Sequence, residues 1–295
     1  MKKERNEKEE WWHNKKRVPL SSARTPIALH FHLDFGGRNS RVRRHAQVII
    51  VVVMFMLFGF PPQEVTAHKP LEANEGKNNN FQSALVIPDP KISWAVYQSL
   101  EPASPALFYK FNARTSQELY VQLSIPQLAN LKDFMPRLAL IGPNVSTSIV
   151  SASRFANIVG NAPDFPKPTD PHYGMINLSY KKQEGISPQS FYEPFTQTSY
   201  WTRQEFRALI PSDGQYFLAV YVSDLDELRG NSKFTLAVGE IEDFKPVDYF
   251  TTLPLAWIKT KLFFGDYISV SAAILIPISI VAVLLVAVRR AYRKN

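Results

Sequence analysis

The 295-residue chain contains no cysteine, which excludes disulfides, thiolate nucleophiles and cysteine-ligated metals. Histidine is nearly as scarce in the downstream part. Of the six, only His68 and His172 lie beyond residue 67, so a Ser/His/Asp triad there must use one of these two. No Gly-x-Ser-x-Gly nucleophile elbow occurs. The stretch SDLDELRGN (residues 223–231) offers Asp224, Asp226 and Glu227 as oxygen donors, but it lacks the alternating ligands of a calcium loop. It reads better as a solvated turn closing on Gly230-Asn231. These absences leave no catalytic residue and no cofactor to expect.

Two long apolar runs are present. The first extends without interruption only from Val48 to Phe60, short for a helix that must cross about 30 Å of hydrocarbon at 1.5 Å per residue. It suits the apolar region of a secretory signal: Arg41, Arg43 and Arg44 precede it, Pro61-Pro62 end it, and Val65-Thr66-Ala67 forms a cleavage site. Cleavage after Ala67 would make His68 the mature N-terminus. The alternative is an uncleaved signal-anchor helix, and either route exports the downstream chain. The second run, Ile268 to Val288, carries no charge and ends in RRAYRKN, with four basic residues and no acidic one. That is the pattern of a membrane-spanning helix with a cytoplasmic tail, and Pro277 is expected to bend it.

Topology also explains the net charge of +8. Residues 1–45 hold twelve basic and five acidic groups and the tail adds four basic ones, so the intervening chain carries about −3. A nucleic-acid partner therefore has no basic surface to meet. An exported domain of this size buries enough apolar surface to do without disulfides, and their absence leans toward a prokaryotic surface.

Residues 68–85 are polar, Asn-rich and without apolar period, and read as a flexible leader. From Val86 onward, ISWAVYQSL, ALFYKF, ELYVQLSI, RLALIGP, EFRALIP, GQYFLAVYV and KFTLAVGE are short, rich in β-branched and aromatic residues, and bounded by Pro, Gly, Asp or Asn. In QYFLAVYV, Tyr216, Leu218, Val220 and Val222 share one face and Phe217, Ala219 and Tyr221 the other. Seven or more such strands without helical period predict an all-β ectodomain, an antiparallel β-sandwich over residues 86–244, followed by a C-terminal transmembrane helix. A long insertion, residues 144–200, separates RLALIGP from EFRALIP, and its Pro-rich stretch NAPDFPKPTDPHYG (161–174) is expected to be extended loop.

The order FYKF (108–111), ELYVQLSIP, RLALIGP (137–143), IPSDGQYFLAVYV and KFTLAVGE resembles the bacterial pre-peptidase C-terminal domain and related jelly-roll sandwiches over about 100 residues. Its most specific element is Pro211 to Val220, in which Asp213-Gly214 makes the turn and Tyr216 opens a buried strand. The resemblance implies a non-catalytic binding or stabilising module.

Within the insertion, Phe191, Tyr192, Phe195, Tyr200 and Trp201 cluster around a proline. They form either a platform for a glycan or a protein partner, or the apolar pins of a long loop. Trp201 is the expected packing residue and Tyr192 the expected exposed one. Asn144-Val-Ser and Asn177-Leu-Ser are glycosylation sequons. A mature N-terminal His68 joined by His172 would supply the nitrogens of a copper brace, which the floppy leader opposes. Residues 245–267 read as a juxtamembrane helix: Thr252 as cap, Pro254 at the first position, and Leu255, Ile258 and Leu262 on one face toward the bilayer. The expected function is a single-pass, membrane-anchored extracytoplasmic binding module. The alternative is an accessory subunit of a membrane complex, with a copper enzyme as the remote one.

Overall fold

The computed structural model describes residues 68–73, 76–159, 171–181, 190–225, 228 and 232–293. The basic N-terminal extension, the first apolar run and the site after Ala67 lie outside them, as do Asp226, Glu227, Gly230 and Asn231.

Thirteen strands are described: β1 Lys69–Pro70, β2 Leu85–Val86, β3 Trp94–Leu100, β4 Ala106–Ala113, β5 Glu118–Pro126, β6 Arg137–Pro143, β7 Val150–Arg154, β8 Ala156–Val159, β9 Tyr173–Tyr180, β10 Ser190–Glu193, β11 Thr198–Leu209, β12 Gly214–Tyr221 and β13 Ser232–Val238. They form two sheets. Sheet A runs β1-β3-β13-β5-β11-β10, with β7 also paired to β11, and sheet B runs β2-β4-β12-β6-β9-β8. Pairing is antiparallel except at one edge of each sheet, where β1 joins β3 and β2 joins β4 in parallel. Both sheets are therefore mixed, and the sandwich expected from the strand pattern is present.

The core lies between the sheets because apolar residues alternate along every central strand. Val121, Leu123 and Ile125 of β5 meet Phe234, Leu236 and Val238 of β13 and Phe206 of β11 on one side, and Leu138, Leu140, Ile176, Leu178, Tyr216, Leu218 and Val220 on the other. The alternate residues of sheet B do not face water either. Phe108, Ala139, Ile141, Met175, Phe217, Ala219 and Tyr221 form a second buried cluster on its outer face, capped by Phe81 and Ala84. The Phe81 ring lies 4.6 Å from that of Phe108 and 5.0 Å from that of Phe217. The turn before β12 is tied down twice. Asp213 accepts hydrogen bonds from Thr115 N and Oγ1 at 2.7 and 2.8 Å, and the Tyr216 hydroxyl donates to Ser212 O at 2.7 Å. Gly142 is required beside it, since a Cβ there would stand 2.1 Å from the Tyr216 ring.

Two expectations need correction. The leader is built into the fold: β1 and β2 extend both sheets, and Asn78 is buried, donating to Phe108 O at 3.0 Å and exchanging hydrogen bonds with Gln98. Asparagine here supplies donors and acceptors for a buried site, so a low apolar content does not mean a loose chain. The described part of the insertion is largely sheet, and most of the Pro-rich stretch lies outside the described residues. β8 and β9 complete sheet B, while β7 and β10 flank β11 in sheet A. A register shift between Thr202 and Gln204 makes Arg203 the extra residue of a bulge. Its guanidinium turns into the structure, donating to Phe134 O at 3.1 Å and Lys132 O at 2.7 Å. It lies 5.4 Å from both the Trp201 and Tyr180 rings.

Two helices follow, α1 Thr252–Phe264 and α2 Tyr267–Arg293. The cap of α1 is Thr251, not Thr252. A short turn at Pro246–Tyr249 engages both hydroxyls first, Thr251 Oγ1 donating to Val247 O and Thr252 Oγ1 to Asp248 Oδ1. Leu253, Ala256, Thr260, Lys261 and Phe264 are the buried residues of α1, and the expected apolar row is its outer side, with Leu255 and Leu262 exposed. Gly265 ends α1 in the left-handed conformation, φ 82°, that glycine adopts without strain. Within α2, Tyr267–Ala287 is long and apolar enough to cross a membrane, with mean hydropathy 2.8 and only 6% of it buried against the rest of the chain.

Candidate functional site: the outer face of sheet A

The outer face of sheet A differs from that of sheet B in carrying polar and aromatic side chains. One rung of the ladder aligns Tyr97, Thr235, Ser124 and Thr202 across β3, β13, β5 and β11. Part of this face is covered by α1: the Phe264 ring sits edge-on to Tyr97 at 6.0 Å and to Tyr200 at 5.8 Å. Lys261, though a lysine, is 4% exposed. It is paid for by two oxygens, donating to Gln197 O and to Asp266 Oδ2, each at 3.0 Å. Lys233 Nζ donates to Phe263 O.

Beyond α1 the face stays open as a cleft of about 340 Å³ lined by His68, Tyr120, Gln122, Phe191, Tyr192, Glu193 and Glu240. Its floor deepens into a chamber of about 20 Å³, room for a single water. His68 reaches it from the β1 edge, Glu193 from the β10 edge and Gln122 from central β5, so the two edges of sheet A curl toward one another here. Ser124 Oγ, which lines the chamber, is buried and makes no hydrogen bond among the described residues.

Electrostatics concentrate at this place. Burial lowers the His68 imidazole to about 4, so it is neutral. Its Nδ1 is 2.5 Å from Ser93 Oγ, and Lys69 N donates to Ser93 O at 2.7 Å. Burial pushes the Glu193 carboxyl up, against the pull of donors from Thr196 Oγ1, Thr196 N and Phe195 N. Tyr97 is raised by burial and by the neighbouring Tyr200 and Glu193. Tyr120 is raised by burial and by Glu205 and Glu240. A neutral imidazole, a carboxyl raised by burial, an amide and phenols present a dense set of hydrogen-bond donors and acceptors.

The five aromatics read as either a platform or the pins of a loop are divided between the two faces of sheet A and the turn after β10. Tyr200 is 2% exposed and stacks on Phe191, centroids 5.4 Å apart, beneath Phe264. Trp201 points to the opposite face, where it packs on the core. Phe195 is half-buried in the turn after β10. Tyr192 is 58% exposed and lines the cleft. Asn144 is exposed at a residue with φ 55°. Asn177 is buried in β9, its Oδ1 accepting from the Tyr221 hydroxyl at 2.9 Å, so the folded chain does not present it to a glycosyltransferase.

His68 is packed on the sheet rather than floppy. His172 precedes β9 of sheet B, and no group of three metal-capable side chains occurs among the described residues. The His68–Ser93 contact has no carboxylate hydrogen-bonded to the imidazole among the described residues, so it does not form a triad. Glu193, Gln122 and Lys261 were not singled out from the sequence. The only sequence signal for Glu193 is its spacing to Thr196 in EPFT, a carboxylate three residues ahead of a hydroxyl and its backbone amide.

The sequence matches no protein family, and no curated protein matches it. Among solved structures, the pre-peptidase C-terminal domain of a collagenase from Bacillus anthracis is similar over 52% of this chain and 91% of its own length, at 14% identity and a TM-score of 0.24.

Proposed function

We propose that the chain is a membrane-anchored binding module without catalysis of its own, whose sandwich lies outside the cell and whose ligand surface is the open half of sheet A. The observation that carries this reading is that one face holds both the anchor and the cleft. The helix α1 is clamped over Tyr97 and Tyr200 and runs through Gly265 into the apolar α2, while Tyr120, Gln122, Phe191 and Tyr192 line an open cleft beside it. Aromatic walls with amide, carboxyl and imidazole hydrogen-bonding groups suit a hydroxyl-rich ligand such as a glycan, or a polar protein loop. The order of motifs around Asp213 and Tyr216 agrees with a pre-peptidase C-terminal-like module.

Full-length chain in mild detergent, applied to an array of neutral oligosaccharides, should retain a subset of them. Tyr192→Ala and Gln122→Ala should abolish that retention while the melting temperature stays unchanged. Retention untouched by both substitutions would remove the cleft from the proposal. Resistance of the chain to alkaline extraction from membranes, with the sandwich open to added protease on intact cells, tests the anchor and its orientation.

A second reading, an accessory subunit of a membrane complex, is favoured by the apolar side chains left uncovered around α1: Val247, Tyr249, Phe250, Leu255 and Leu262 are each more than 40% exposed. Co-purifying membrane subunits in mild detergent would select it.

A further inference from the structure

We infer that the groove between α1 and residues 70–73 holds one acyl chain of a membrane phospholipid, an inference that rests on the anchored reading above. The groove encloses about 510 Å³, with Leu71, Ala73, Tyr97, Leu255, Ala256 and Phe263 among its walls. It exists because α1 turns one row of side chains, Leu253, Ala256, Thr260 and Phe264, down onto the fold, while the neighbouring row at Thr251, Leu255, Lys259 and Phe263, four residues apart, faces the β1 segment across a gap. That volume lies in the range of ligand sites, and the walls offer an occupant mainly carbon.

Shape and place select the occupant. Lining residues run from Thr251 to Phe263 along the helix, twelve steps of 1.5 Å or about 18 Å, so the site is long and narrow as an acyl chain requires. Its Phe263 end is four residues from Tyr267, where the candidate membrane span starts. A chain leaving the bilayer therefore enters the groove without crossing open water. At the rim, Lys259 Nζ pairs with Glu72. Both are well exposed, so the pair holds weakly, and Lys259 is free to exchange Glu72 for a lipid phosphate while the tail lies below.

Native mass spectrometry of the full chain, reconstituted in vesicles of phosphatidylglycerol and phosphatidylcholine and released into mild detergent, should show one retained phospholipid per chain. Leu255→Trp fills the groove from an exposed position, and Ala73→Trp fills it from the opposite wall. Each should cut the lipid-bound fraction by about tenfold, whereas Leu262→Trp, exposed on the same helix but outside the groove, should leave it unchanged. No retained lipid in the wild type, equal retention in all three variants, or retention of detergent alone would each overturn the inference. Alkaline extraction of the same preparations keeps the two readings apart: a chain that stays in the membrane but retains no lipid refutes only the groove, and a chain that washes off refutes the anchor itself.

Discussion

The outer faces of the two sheets are closed by different means, although their inner faces share one core. Sheet B is sealed by carbon: Phe108, Phe217, Met175 and Ala219 lie under Phe81 and Ala84. Sheet A is sealed by a helix on one half and left polar on the other, with Lys261, Glu193 and His68 at the seam. A carbon seal contributes stability and offers little chemistry. A seam of satisfied polar groups contributes less, but it makes the face pH-dependent and recognisable. The proposed ligand surface thus lies on the face that contributes less to stability.

The largest expected effects lie on the carbon side. Phe108→Ala should cost about 3 to 5 kcal/mol and Leu218→Ala about 2 to 5 kcal/mol in denaturant unfolding of the chain in mild detergent. A loss below about 1 kcal/mol at Phe108 would break the comparison, because the outer face of sheet B would then not be a core. Next comes the clamp under α1. Lys261→Ala removes a charge-assisted pair at a buried position and should cost about 2 to 3 kcal/mol, whereas Lys259→Ala, on the exposed pair with Glu72, should cost under about 1 kcal/mol.

The pH dependence sharpens the contrast at the chamber. His68 titrates near 4 when folded and 6.5 otherwise, so between those values the folded chain binds fewer protons than the unfolded one. Its contribution is intact above pH 6.5 and lost as pH falls toward 4, by at most about 3 kcal/mol. Glu193 runs the other way: its raised carboxyl favours the folded state at low pH, and that contribution fades as pH rises past 4.5. Unfolding measured from pH 4 to 8 should therefore show an acid limb that His68→Gln flattens. An unchanged limb in that variant would place the acid sensitivity elsewhere. The smallest effect is expected at Tyr192→Ala, within about 0.5 kcal/mol of wild type by thermal melting, since more than half of that side chain is already in water.

Strand alternation made the inner core legible, and the two faces assigned to Tyr216 through Val222 are those observed. The edges were not legible. A two-residue strand such as Lys69–Pro70 has no period to detect, and β9 holds Asn177 among Met175, Ile176 and Leu178, where its Oδ1 accepts from the Tyr221 hydroxyl of β12, two strands away. On α1 both sides are apolar, so the row of Leu255, Ile258 and Leu262 stood out as the outward face, while the row that packs on sheet A, Leu253, Ala256, Thr260 and Phe264, could not be told from it. The chamber was hidden for a similar reason: His68, Gln122 and Glu193 are far apart in sequence and meet only when both edges of sheet A curl inward.

Only Gly265 and Asp266 separate α1 from α2, a reach of about 7 Å at full extension. Were α2 to lie in a bilayer as proposed, a tether so short would convert capture into a problem of two dimensions, with the cleft carried at a fixed height and presented the same way up by every copy. On the proposed function, a ligand displayed on the same or an opposing surface would then be met by lateral diffusion, and neighbouring copies would grip a repetitive ligand together, so that weak single contacts add up.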